Sequence, residues 1–303
     1  MNLTLVAWRV VPRLPAPLAR GLFRLAADVA WWRHGKGVRQ LEANLARVRP
    51  ELSPQALRRL SRLGMRRYLA YFCEAFQLAR LSEAQVDQLV HFEGGEQAIE
   101  AMGPARQGVL VLGHMGNWDL AGAFATRHIA PVTTVAEHLE PEAVFQQYLA
   151  MRRRIGLTII PLDKGAPVFR QVLRAAQTDE PWIIPLLADR DLGRSGIEVD
   201  WFGEKALMAP GPAALAVETG RPLFPVTIHR EDKGYALVFH PPVSAPEGLD
   251  KAARVQHLTQ AWANVLEREI RRHPADWHML QKVFVADLDP ARLAAVRGEG
   301  GAA

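Results

Sequence analysis

From residue 108 onward the chain repeatedly contracts into short, wholly apolar runs, and this limits the available folds more than any other feature. Residues 109–113, Val-Leu-Val-Leu-Gly, set the type: no polar side chain, then a glycine that ends the run. A strand buried on both faces needs apolar side chains on either side of its pleat, and it reads this way. Similar runs fall at 132–135, 157–161, 182–187, 197–202, 223–228 and 236–239. Helical stretches at 143–154, 168–177 and 213–219 lie between several of them, and an amphipathic helix is expected over 252–272. Strands alternating with helices predict an α/β fold whose central, largely parallel sheet is flanked by helices. A chain of 303 residues can bury a full core as one large domain. No internal repeat or low-complexity linker divides it. Residues 81–290 are therefore read as the α/β core, 1–80 as a helical part of the same domain, and 291–303 as a loose C-terminal tail.

The first 80 residues differ in kind. They carry 15 Lys or Arg against 4 Asp or Glu, while the whole chain has a net charge of only +5, so the remainder is net acidic at −6. Apolar residues recur at helical spacing among the arginines, and Pro12, Pro15 and Pro17 predict two short helices in place of one. Ser53 is the expected N-cap of a longer helix that runs to about Leu78. A basic, apolar N-terminus suits a signal peptide, a nucleic-acid arm or a membrane-surface element. Arg9, Arg13, Arg20 and Arg24 interrupt the apolar core that a signal peptide needs, and no run of about 18 apolar residues suits a membrane span. Arginines sharing helices with many apolar residues favour an anionic lipid surface over nucleic acid. Trp8, Trp31 and Trp32 suit the headgroup layer. The single cysteine, Cys73, cannot form an internal disulfide and is expected to be buried and inert.

The segment VLVLGHMGNWDLAGAF places His114 directly after a buried strand and Asp119 at the start of the next helix. In open α/β sheets, ligands bind in the crevice beyond the strand C-termini. A carboxylate five residues on, across a turn at Gly116, can accept the imidazole N–H, fix one tautomer and stabilise the imidazolium. The bland alternative is that His114 caps a strand and Asp119 a helix. Asn117 and Gly116 are candidate N–H donors to an oxyanion, or simple turn residues. Arg190, Arg194 and the run Arg152, Arg153 and Arg154 are rival phosphate ligands, because guanidinium forks match phosphate oxygens. A solvated basic helix end is the better account of at least two of those three. His128, His138 and His278 have no metal-ligand spacing with His114.

Beyond spacing, HMGNWD after an apolar strand resembles the signature block of the lipid A biosynthesis late acyltransferase family, which shares the His-x4-Asp motif of glycerolipid acyltransferases. LLADRDLGRSGIEVDWFGEKALMAPGPAALAVETGRPLFPV resembles the family's second conserved region, HPADWHMLQKVF its C-terminal block, and QLEANLARVRP its N-terminal "NL" helix. Within the family, the resemblance is greatest to the phosphatidylinositol mannoside acyltransferases of actinobacteria. It implies a glycerol-3-phosphate acyltransferase-like fold and transfer of a long acyl chain, palmitoyl in that subfamily. The donor would be acyl-CoA, a co-substrate with no cofactor needed, and the acceptor a mannose hydroxyl of a membrane glycolipid. His114 would then be the general base and Asp119 its orienter. A glutamate assists the histidine in that subfamily, and Glu198 is the positional match, although its strand position equally suits an exposed residue. A monotopic protein on the cytoplasmic face of the membrane is expected, with no nucleic-acid partner.

Other readings remain. One is an acyltransferase for another, lipid A-type acceptor. A thioester hydrolase would need a nucleophile, and no G-x-S-x-G elbow is present. A non-catalytic anionic-lipid-binding protein would use only the basic N-terminal region. Neither G-x-G-x-x-G nor a P-loop supports a nucleotide enzyme.

Overall fold

A computed structural model describes residues 3–163, 167–191 and 195–297 of the chain. The N-terminal part is helical as expected. Helix α1 (Leu3–Val10) and α2 (Ala16–Trp32) are parted by a 3-10 turn at Val11–Arg13, where the prolines interrupt the backbone ladder. Helices α3 (Lys36–Val48) and α4 (Pro54–Leu78) follow, and the Ser53 hydroxyl caps α4 by accepting the Ala56 N–H at 3.3 Å. Helix α5 (Glu83–Gln88) leads to β1 (Val90–Glu93), α6 (Gly95–Met102), β2 (Gln107–Leu112) and α7 (Trp118–His128). Then come β3 (Thr133–Glu137), α8 (Glu142–Arg154), β4 (Thr158–Leu162), α9 (Val168–Ala176) and β5 (Trp182–Leu187). The chain continues through β6 (Ile197–Trp201), β7 (Glu204–Met208), α10 (Gly211–Thr219), β8 (Leu223–Arg230), β9 (Tyr235–Phe239), α11 (Lys251–Arg272) and α12 (Pro290–Arg297).

The central sheet has the order β1-β9-β8-β2-β5. Strands β8, β2 and β5 are mutually parallel, and β9 runs antiparallel to β8. A parallel bridge between Val132 and Ile183 carries the sheet on to β3, which pairs in parallel with β4. The largely parallel α/β architecture expected from the apolar runs is present. Alternation along each strand feeds two cores. Val109, Val111, Trp182 and Ile184 join α9, α10 and α11 on one face. Leu110, Leu112 and Ile183 join α6, α7 and α8 on the other.

Four details depart from the sequence reading. Residues 197–202 do not join the main sheet; β6 pairs with β7 in a separate antiparallel hairpin packed on α11. Strands β1 and β7 had no apolar signal strong enough to predict them, since VHFE and EKALM are half polar. The C-terminal segment from 291 is not loose throughout, because 290–297 form α12; residues 298–303 lie outside the described part. Trp8 and Trp31 do not face outward. Trp8 packs edge-on against Phe76 and Tyr148, and the Trp31 indole donates to the Ser61 hydroxyl at 2.9 Å. Trp32, 76% exposed, does face outward. Among the described residues no helix is long and apolar enough to cross a membrane.

Candidate active site

The site grows from the shared edge of two parallel strands. Leu112 and Leu187 are register partners at the C-terminal ends of β2 and β5. The ladder runs one step further, with the Ala188 N–H donating to the Leu112 carbonyl at 2.9 Å. His114 and Asp189, each two residues past its strand, are thereby brought side by side. Their contact is close: His114 Nδ1 lies 2.5 Å from Asp189 Oδ1. Asp189 Oδ2 accepts the His114 backbone N–H at 2.9 Å and the Trp277 indole N–H at 2.8 Å. Asp189 is fully buried, whereas the His114 side chain is 17% exposed. Burial pushes the Asp189 carboxyl up, and the His114 ring with the surrounding donors outweighs it, so the group stays below its ordinary value. An ionised carboxylate only accepts, so Nδ1 carries the proton and the Nε2 lone pair is the ring's basic site.

A C-terminal segment clamps the histidine loop from the other side. The Gly116 N–H donates to the Asp276 carbonyl at 3.0 Å, the His278 N–H donates to the His114 carbonyl at 2.8 Å, and Met115 bridges Trp277. Gly116 has φ +60°, and a Cβ there would lie 2.6 Å from the Ile228 carbonyl oxygen, so only glycine lets the loop approach. His278 Nε2 donates to the Gly116 carbonyl at 3.1 Å. Burial depresses the His278 ring to about 3, and the neighbouring His114 adds to this. His278 is therefore neutral at ordinary pH.

The other residues singled out from the sequence are distributed as follows. Asp119 does not hold the His114 ring. Its Oδ1 accepts from Arg152 Nε at 2.7 Å and its Oδ2 from the Tyr71 hydroxyl at 2.7 Å, on the first turn of α7. Helix geometry turns a residue at that position toward α4 and α8, while His114 stays on the preceding loop. Arg152 opposes burial through this pairing, which keeps its guanidinium raised above the ordinary value. It thus serves Asp119, while Arg153 and Arg154 are solvent-exposed. Asn117 caps α7 by accepting the Leu120 N–H at 3.0 Å and donates to Glu74 at 2.8 Å, and the Gly116 N–H is committed to Asp276. The Gly116 N–H and the Asn117 side chain are thus engaged within the protein. Arg190 lines the His114 pocket and contacts Glu137 at 3.2 Å. Arg194 lies outside the described residues. Glu198 sits on the β6–β7 hairpin, where its carbonyl accepts from Gln256 at 2.9 Å, and does not line that pocket. Asp189, Trp277 and His278 were missed, though the first has a signal: like His114, it follows a buried strand by two residues.

Two spaces meet beside Trp118. His114 lines an open pocket with Tyr68, Tyr71 and Trp118. Behind it, an apolar space lies beneath α7 along the sheet face, bounded by Leu110, Leu112, Gly122, Ala125, Ile183 and Leu157. Trp118, Val135, Arg152 and Leu187 line both, so the two spaces adjoin at these residues. A half-buried imidazole in a pocket that adjoins an apolar space suits acyl chemistry.

Residues 1–285 match the family described as bacterial lipid A biosynthesis acyltransferase. The chain belongs to this acyltransferase family. It is 37% identical to a phosphatidylinositol mannoside acyltransferase of Mycolicibacterium smegmatis over 287 residues, which is 95% of this chain and 92% of the relative. It is 38% identical over 296 residues to a protein of the same description from Mycobacterium tuberculosis, covering 96% and 90% of the two chains. The family assignment read from HMGNWD and the HPADWH block is thereby borne out, and the chain is an enzyme of acyl transfer.

Proposed function

We propose that this acyltransferase moves a long-chain acyl group, palmitoyl, from acyl-CoA to a mannose hydroxyl of a phosphatidylinositol mannoside. The observation that carries the reading is the adjacency of the His114 pocket and the apolar cavity beneath α7, which share Trp118, Val135, Arg152 and Leu187 in their walls. A chain of about sixteen carbons carries on the order of 12 kcal/mol of transfer free energy, at ~0.8 kcal/mol per methylene, so it needs a dry enclosure during reaction. The apolar cavity adjoining the His114 pocket suits that need. The similarity to the mycobacterial relatives supports the mannolipid acceptor.

In this mechanism His114 Nε2 takes the proton from the sugar hydroxyl as its oxygen attacks the thioester carbonyl. Asp189 stabilises the imidazolium as it forms. The imidazolium then protonates the leaving thiolate, so the protons balance and His114 is restored. Asp119 contributes by holding Arg152 and Tyr71 near the junction of the two spaces, where chain and thioester meet. Arg190, on the rim, suits a phosphate of either substrate. The outer face of α2 suits the membrane that holds the acceptor, on its cytoplasmic side. Purified protein incubated with a panel of acyl-CoAs and a membrane lipid extract should yield an acylated mannolipid detected by mass. His114→Ala should lose most of that product while remaining folded; an unchanged yield would exclude the mechanism. Release of free fatty acid without acylated lipid would point to a hydrolase.

A further inference from the structure

We propose that Trp277 is a positioning residue for the reaction: its indole N–H anchors Asp189 Oδ2, which aims Oδ1 at His114 Nδ1. This rests on the reading of His114 as the base. The carboxylate receives three donors, and two of them converge on Oδ2, the His114 backbone N–H at 2.9 Å and the indole at 2.8 Å. Oδ1 is left to the ring at 2.5 Å. With only the backbone donor, the carboxyl group is free to turn about its own bond, and the contact with the ring loses its fixed geometry. Charge-assisted hydrogen bonds are the strong ones, and a fully buried carboxylate depends on every donor it has.

Packing alone does not account for this indole. Trp277 is fully buried and meets Trp201 edge-on at 5.3 Å and Phe202 at 6.1 Å, contacts that a phenyl ring would largely keep. Trp182 and Trp262 are as deeply buried, yet among the described residues their indole nitrogens have no hydrogen-bond partner. This core tolerates an unsatisfied indole, so the aim of Trp277 at Asp189 is a specific feature. The backbone explains how it is achieved: the bridge from Met115 to Trp277 and the bonds on either side fix the indole's approach. The titratable and charged groups around the pair are Tyr68 and Tyr71 from α4, Glu137 from β3, Tyr148 and Arg152 from α8, Arg190 and His278. None of them supplies a described hydrogen bond to Asp189 that could replace the indole's.

The test compares Trp277→Phe with Trp201→Phe in the full-length enzyme. Trp201 belongs to the same aromatic cluster, but its indole donates to the Ala263 carbonyl at 3.1 Å. Trp277→Phe should lower kcat roughly ten- to a hundredfold with little change in KM. A buried carboxylate with one donor fewer makes the Asp189–His114 pair more basic, so the acid limb of the kcat/KM profile should move to higher pH. Trp201→Phe should leave that limb in place. An acid limb unmoved in Trp277→Phe, with His114→Ala inactive, would overturn the inference while sparing the base. Activity surviving in His114→Ala would remove the base itself. Should Trp277→Phe not fold, the indole N–H resonance of Trp277 in the wild-type enzyme decides the matter, assigned by elimination through Trp→Phe changes at the other positions. It should titrate with the acid limb, and a resonance that does not move with pH would refute the proposal.

Discussion

Asp119 stands five residues from His114 and Asp189 stands 75 residues away, yet the distant carboxylate holds the imidazole. A spacing rule sees only the near one. The histidine and its loop were legible because an apolar strand ending in glycine announces the crevice. The partner was not, because parallel pairing of β2 with β5 has no local signal. Glu198 attracted attention as the positional match to the subfamily's glutamate, but it lies on a hairpin that packs elsewhere. The two aspartates should respond differently to loss of charge. Asp189→Asn would leave the ring without its anionic acceptor, and turnover should fall about 10²–10⁴-fold while the fold survives. Asp119→Asn would strand the Arg152 guanidinium in the interior, and breaking a buried pair costs about 3–5 kcal/mol. Steady-state kinetics beside urea unfolding separates these outcomes. An Asp119→Asn enzyme as stable as its parent would contradict the assignment of that carboxylate to Arg152.

Elements with strong periodicity were read correctly within a residue or two, α8 and β5 among them, because their side chains report burial directly. Short elements such as β1 and β7 were lost for the converse reason, and β6 was counted with the central sheet because pairing is a tertiary choice. The wall of the cavity shows what an element contributes beyond its own stability. Helix α7 presents Ala121, Gly122 and Ala125 to the space below it, and Gly122 is close enough that a Cβ would lie 3.2 Å from the Leu157 side chain. Any larger side chain at 122 must therefore take volume from the cavity or push Leu157. Overpacking of this kind costs roughly 1–3 kcal/mol. Gly122→Leu should consequently lower kcat/KM for long acyl donors about tenfold or more, and spare short ones. Rates measured across a series of acyl-CoA lengths test this; a uniform loss at every length would show that α7 does not bound the chain.

The charge asymmetry of the whole molecule was legible in composition, but which side of each helix carries it depends on packing. His278 ties the C-terminal segment to the site and must stay neutral there. Its folded value of about 3 lies below its ordinary 6.5, so between these the unfolded chain binds a proton that the native state refuses. Stability should be fully present above about pH 6.5 and fall as pH drops toward 3. Urea midpoints over that range should show the loss, and His278→Asn should flatten it. Helix α2 carries the membrane prediction. Its inner face is locked to α4: Ala19 and Ala27 are fully buried, and Asp28 pairs with Arg62 and Arg66, which hold its carboxyl well below the ordinary range. Removing residues 1–32 would therefore uncover the core and confuse unfolding with loss of binding. The outer face permits a cleaner experiment. Leu18, Leu22, Leu25, Val29 and Trp32 recur along one stripe, with Leu22 50% and Leu25 61% exposed, and Arg20 and Arg24 lie exposed beside them. Burying a leucine contributes about 1.5–3 kcal/mol, so charging two of them should weaken attachment by roughly a hundredfold or more. Surface changes of this type leave folding nearly untouched, within about 0.5 kcal/mol. Leu22→Glu combined with Leu25→Glu should release the protein from anionic vesicles in a flotation assay while its melting temperature holds. Its turnover on detergent-dispersed substrate should match the parent's, and vesicle binding equal to the parent's would remove α2 as the attachment surface.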